Sequence, residues 1–169
     1  MIRMSFITPR TMTLSAESKL KRNILWFLLA ALAIAPLLPL SNYVGLPHWD
    51  LIRWIPFQDF SLSRNKLTDV LGNVLWFTTF GYLLRYQLNE RFGPLRAIAT
   101  IIVIASGISL SVEFFQVFCH NRIPSMTDVI CNVFGAGIGG YVAEKQRATA
   151  ATRLAHYALV KNNDSQSLP

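Results

Sequence analysis

The sequence predicts an all-α integral membrane protein, a bundle of four transmembrane helices with an interfacial aromatic loop after the first. Three observations carry that expectation. Charge is nearly absent from residues 24–40, 70–84, 97–112 and 129–143, and collects between and outside them. A polar motif occurs twice, 59 residues apart: Thr68-Asp69-Val70-Leu71-Gly72-Asn73-Val74 returns as Thr127-Asp128-Val129-Ile130-Cys131-Asn132-Val133. Each copy opens a long apolar stretch and meets a Gly-Tyr pair eight residues after its Asn. Positive charge, finally, flanks the apolar segments unevenly. The length of 169 residues fits one domain, and a soluble domain could also be 52% hydrophobic, so distribution decides more than totals do.

Residues 1–22 hold Arg3, Arg10, Lys19, Lys21 and Arg22 among polar residues and read as a basic cytoplasmic tail. The membrane domain follows over 23–143, with its core motifs in 55–143. Its first span, 24–40, has 17 residues, the short end of the usable range, and Pro36 and Pro39 are expected to kink or end it. A cleaved signal peptide is the rival reading, because Ala33-Ile34-Ala35 resembles an A-x-A site; proline directly after it argues against cleavage. The loop 41–66 mixes Tyr43, Trp49, Trp54, Phe57 and Phe60 with prolines and charges, which suits the interfacial belt as well as it suits an ordinary anchored loop.

The second span is 67–84. A polar turn containing Gly93-Pro94 breaks the helix before the third span, 97–118. The turn from Cys119 to Met126 leads to the fourth, 127–143. Residues 144–169 form a second cytoplasmic tail, weakly amphipathic to Val160 and then polar, with an end expected to be disordered.

Lys and Arg fix the orientation. The two tails and the 85–96 turn hold 12 of them, and the 41–66 loop and the 119–126 turn hold 4. Positive loops stay inside, so both termini are expected in the cytoplasm of a bacterial inner membrane, and both polar motifs at its outer face. The net charge of +7 forms no stripe interleaved with exposed aromatics, so anionic lipid suits it better than nucleic acid. Cys119 and Cys131 are too few for a disulfide framework, and no C-x-x-C or H-x-x-H is present. No metal site or cofactor is expected.

The third span carries a polar stripe, Ser106, Ser109, Glu113, Gln116 and His120, at spacings of 3, 4, 3 and 4. The fourth answers with Asp128, Asn132, Gly135 and Gly139, and the second with Asp69, Asn73 and Trp76. Such groups are costly in lipid and rarely filler. At 1.5 Å per residue Asn73, Glu113 and Asn132 lie about 8 Å below one surface. The binding candidates are therefore Asp69, Asn73, Glu113, Gln116, Arg122, Asp128 and Asn132. Glu113 at that depth must be protonated or paired, with Arg122 as the expected outer partner and Asn73 and Asn132 as expected hydrogen-bond partners. The Gly135-x-x-x-Gly139 spacing allows close helix contact, expected against span three through Gly107 and Ser111.

Duller readings stand beside these. Ser125-x-x-Asp128 fits a capping box, which would explain Asp128 in part. Ser106 and Ser109 read as small packing residues, and His120 as a loop residue. The whole cluster could be structural glue.

At these residues the chain resembles the VanZ-like family of small multi-pass bacterial membrane proteins. The matching elements are Ile55-Pro56-Phe57, then Asn73-x-x-x-Phe77-x-x-x-Gly81, then Ser111-Val112-Glu113-x-x-Gln116, and last Arg122-x5-Asp128-x3-Asn132-x2-Gly135-Ala136-x2-Gly139. Thr79 stands where the family usually has Pro, and Ser125 where it usually has Asp, which marks a divergent subgroup. The resemblance implies a role in the cell envelope, with a link to resistance against teicoplanin-type glycopeptides.

Three functions compete. The first is a protein without catalysis that binds a membrane lipid, a lipid-linked envelope precursor or an envelope protein partner, the last including a second copy in a homodimer. The second is an enzyme on such a lipid, with Glu113 as acid or base, Asp128 orienting it and Arg122 holding a phosphate. The third is a small transporter. The absence of a nucleophile elbow, a P-loop and a metal cluster weighs against the enzyme, so the catalytic role of Glu113 and Asp128 stays an alternative.

Overall fold

The computed structural model describes residues 9–34, 40–58, 63–88 and 92–166. Arg3, Ala35, Pro36, Pro39, Phe60 and the last three residues, with the expectations attached to them, lie outside that set. Within it the chain is all-α, with four helices and no strand: α1 Pro9–Ile34, α2 Arg64–Gln87, α3 Pro94–Gln116 and α4 Met126–Gln166.

The contacts between helices give their directions. α2 and α4 run parallel, because Val74 meets Gly135 and Thr78 meets Gly139. α3 runs antiparallel to α4, with Ser109 against Asn132 and Ile101 against Gly140. α4 packs along both α2 and α3, whereas α2 and α3 touch over a much shorter length. The core joins Leu25 and Leu28 of α1, Phe77, Phe80 and Leu83 of α2, Ile101 and Ala105 of α3, and Ala136 of α4.

The glycine face of α4 meets a different neighbour from the one its spacing suggested. A Cβ added at Gly135 or Gly139 would strike the backbone of Val74 or Thr78 in α2, and one at Gly81 would strike Ala136. Gly107 of α3 has nothing within 4 Å of that position, and Ser111 is exposed. Small residues allow close approach wherever two backbones meet. Here both helices of the repeated motif supply them, so α2 and α4 approach backbone to backbone. α3 meets α4 through side chains, Ile102 standing 3.9 Å from a Cβ at Gly137.

Two helices extend beyond the expected bounds. α1 begins at Pro9, within what reads as a tail, and proline suits a first helical position. Lys21 then donates to Glu17 one turn back at 2.6 Å and stands 3.9 Å over the Tyr86 ring. That hydrogen bond holds the Glu17 carboxyl below the usual carboxylate range. α4 continues unbroken to Gln166, because no glycine or proline occurs from Tyr141 to that point and alanine recurs throughout. The polar end expected to be disordered is helical as far as Gln166.

Among the described residues two helices, Pro94–Gln116 and Met126–Lys161, are long and apolar enough to cross a membrane, with mean hydropathy of 2.0 and 1.2. Thr68, Asp69, Asn73, Thr78 and Thr79 dilute α2, and the apolar run of α1 continues into residues outside the described set. Large apolar side chains cover the outside of the bundle, among them Trp26, Leu75, Val103 and Phe134. An exterior of this kind is far from what water favours, and with the two apolar helices it suggests a membrane protein.

The segment 40–58 forms a strap across the C-terminal end of α3. His120 donates to the Asn42 carbonyl at 2.7 Å, Val44 to Phe118 at 3.1 Å and His48 to Val117 at 3.0 Å. Arg53 donates to Pro124 and accepts from Met126, both at 3.0 Å. Trp49 sits against Phe114 and Phe118, with centroids 5.9 and 6.2 Å apart. The strap is therefore held by backbone bonds while Trp54, Ile55 and Phe57 remain exposed.

Candidate functional site

At the end of the bundle where α3 ends and α4 begins, α2, α3, α4 and the strap line a cavity of about 590 Å³. Its size lies within the usual range for ligand pockets. All seven binding candidates, Asp69, Asn73, Glu113, Gln116, Arg122, Asp128 and Asn132, line it. Arg53 and Lys66 join them, as do the apolar Ile55, Val70, Trp76 and Val112.

The pairing within this group differs from the expectation. Glu113, 8% exposed, accepts the backbone N–H of Ser125 at 2.8 Å. Arg122 stays exposed at the rim and attracts both Glu113 and Asp128 through its field. A carboxylate near a turn can take a backbone donor that no residue type advertises, and here that donor lies closer than the arginine head.

This contact also changes the cap. Ser125 precedes α4, its Oγ accepts the Thr127 N–H at 3.2 Å, and it serves as the N-cap. In a capping box the side chain three residues on would accept the N–H of the cap residue. Glu113 of α3 does so instead. Asp128 is thereby left to accept from Asn73 of the other motif copy, with Asp69 close enough to repel it. The capping explanation of Asp128 thus gives way to a bond between the two repeats.

Asn132 is not a partner of Glu113 either. Its Nδ2 donates to Ser109 Oγ at 2.9 Å, and Ser109 is fully buried. Ser109 is thus a polar partner as well as a packing residue. Among the described residues the Asn132 Oδ1 is buried with no hydrogen-bond partner. His120 behaves as a loop residue, its ring edge-on to His48 at 6.4 Å.

Phe57 closes one side of the cavity with a backbone φ of +60°. A bulky residue in that region is strained by about 1–3 kcal/mol. Its N–H donates to Thr127 Oγ1 at 2.9 Å, tying the strap to the head of α4. Sequence reasoning missed Arg53 and Lys66 as wall residues. Lys66 was findable, since it lies three residues before Asp69 on one helix face; Arg53 reaches the cavity only because the strap folds back.

The arrangement offers carboxylates, amides and guanidinium groups to one enclosed volume beside apolar walls. Among the described residues no three His, Cys, Asp or Glu side chains stand where they could hold one metal ion. The sequence model of the VanZ/LLP1 family matches residues 24–144, which contain the cavity and its walls. No curated protein and no solved structure matches the chain.

Proposed function

This chain belongs to the VanZ/LLP1 family, and from that premise we propose that it binds an envelope lipid or lipid-linked precursor at the outer leaflet of the bacterial inner membrane. The cavity carries the reading. It joins charged and amide groups to the apolar Val70, Trp76 and Val112, the combination an amphiphile needs for head and chain. The four helices then span the bilayer with both termini in the cytoplasm. The 12-to-4 bias of Lys and Arg and the apolar exterior support this arrangement.

Two experiments test the reading. Alkaline phosphatase fused after residue 123 is expected to be active, and after residue 150 inactive; the opposite pattern would place the cavity on the cytoplasmic side. Lipids co-purifying with the wild type are expected to fall to background in Asp128→Asn. Identical lipid profiles for the two proteins would remove the cavity from any binding role.

An enzymatic reading is kept for one observation, the two carboxylates Asp69 and Asp128 that the two copies of the motif bring to the wall of one cavity. Two carboxylates in one site can divide acid and base work between them. Glu113 suits that work less, because its carboxylate is engaged by the Ser125 N–H. Turnover of a lipid-linked phosphate that is lost in Asp69→Asn with binding intact would favour the enzyme. An effect on glycopeptide resistance would be downstream of either reading.

A further inference from the structure

The walls of the cavity sort by charge along the bundle axis. Arg53 and Arg122 come from the strap and the α3–α4 turn, and Lys66 from the first turn of α2. Asp69 lies one turn deeper than Lys66, while Asp128 and Glu113 lie within a turn of their helix ends. Asn132 lies a further turn below Asp128. The cations therefore lie toward the mouth, and beneath them on the α2–α4 side Asp69, Asp128 and Asn132 can each accept a hydrogen bond.

The floor makes the demand specific. Asn132 is only 5% exposed, and its Oδ1 lacks a donor among the described residues. A buried amide oxygen without a donor is costly, so this position calls for an N–H or O–H. Three carboxylates, Asp69, Glu113 and Asp128, face three cations, Arg53, Lys66 and Arg122, across one volume. A purely anionic head would suit the mouth and repel the acids, and a purely cationic head would do the reverse.

We infer that the cavity takes an amphiphile whose head pairs a primary ammonium with a phosphodiester. The ammonium faces Asp69, Asp128 and Asn132, and the phosphate faces the cations at the mouth. This inference rests on the lipid-binding reading above and names the head it selects. A primary ammonium carries three N–H donors, whereas a quaternary one carries none and leaves the Asn132 oxygen unsatisfied. The chain leaves along Val70, Trp76 and Val112, on the side where α2 and α3 touch least.

Native mass spectrometry of the full-length protein from mild detergent tests this. The probes are equimolar phosphatidylethanolamine, phosphatidylcholine and phosphatidylglycerol, with chains of distinguishable mass. The ethanolamine lipid is expected to exceed each of the others by about tenfold, one charge-assisted hydrogen bond's worth of discrimination. That preference is expected to vanish in Asn132→Leu and in Asp69→Asn. Asp69 is exposed on α2, so the second variant keeps the test valid if the first fails to fold. Lys145→Gln, at the opposite end, is expected to leave the preference unchanged.

Equal binding of the three lipids, or a preference that survives both variants, overturns the inference while leaving lipid binding intact. A preference for phosphatidylglycerol also overturns it. Adducts with soluble sn-glycero-3-phosphoethanolamine but with none of the lipids would keep the head chemistry and sink the lipid reading. Adducts with none of these probes would sink both.

Discussion

Removal of the Glu113 side chain tests how the site is held together. Its carboxylate accepts the Ser125 N–H at 2.8 Å while only 8% exposed, so Glu113→Ala leaves a partly buried donor unpaired. Hydrogen bonds to charged groups contribute about 1.5–3 kcal/mol, and a buried unpaired donor costs about 1–3 kcal/mol. These are two descriptions of one loss, so about 2–3 kcal/mol is expected. Glu113→Gln keeps an oxygen that can accept, and is expected to cost about 1 kcal/mol or less, the difference between a charged and a neutral acceptor. Cys119 and Cys131 are free and buried, at 1% and 5% exposed, and report opening directly. A thiol-reactive dye followed during heating in mild detergent should show Glu113→Ala opening well below the wild type, with Glu113→Gln between them. The reasoning fails if Ala matches the wild type. It fails equally if Gln is as damaging as Ala, since the charge and not the bond would then be what matters.

Three further outcomes follow from the same contacts. Gly139→Ala forces a Cβ into the Thr78 backbone and is expected to cost at least the ~1–3 kcal/mol of an overpacked core; Gly107→Ala meets nothing and is expected to be neutral or slightly stabilising. Equal melting curves for these two variants would refute the α2–α4 contact. A double-mutant cycle on Asn132→Ala and Ser109→Ala is expected to show coupling of about 0.5–3 kcal/mol, with a smaller value for Asn132→Ala and Glu113→Ala, which share no bond; coupling that is stronger in the second cycle would restore a single cluster. Arg85 is 2% exposed and paired with the half-buried Glu144, so Arg85→Ala, by leaving that carboxylate without its partner, is expected to destabilise by about 1–3 kcal/mol in the same thiol assay. An unchanged melt would mean that the pair is solvated.

Much of the site was legible because polar residues at fixed depths in apolar helices constrain geometry strongly. Asp69, Asn73, Glu113, Asp128 and Asn132 reach one cavity because each sits toward the same end of the bundle, Glu113 near the end of α3 and the others near the starts of α2 and α4. Their partners were less legible. A backbone N–H such as that of Ser125 has no signature in residue type, and Asn132 had two polar layers to choose between. The glycine spacing announced a close contact without naming the helix that makes it. The expected helix bounds fell short, because charged residues at i and i+4, as in Glu17 and Lys21, look like a solvated tail yet also support a helix. The family resemblance was legible for a similar reason, since its motifs are these same polar and small residues in order.

The backbone contact between α2 and α4 has a mechanical meaning. Three glycines place main chain against main chain, so sliding one helix past the other by a residue would drive a Cβ into a carbonyl. Both ends of the pair are also pinned, by Asn73 on Asp128 above and by Arg85 on Glu144 below. These two helices form a stator. α3 instead rests on α4 through the Ile101 and Ile102 side chains, which can change rotamer, and it carries the strap on its outer end through backbone bonds. The strap bridges the two parts, residues 42–48 bonding to the end of α3 and Arg53 and Phe57 to Met126 and Thr127 at the head of α4. A shift of α3 that widens the cavity therefore carries Glu113 with it, pulls on the strap, and leaves Asp69, Asp128 and Asn132 on the still pair.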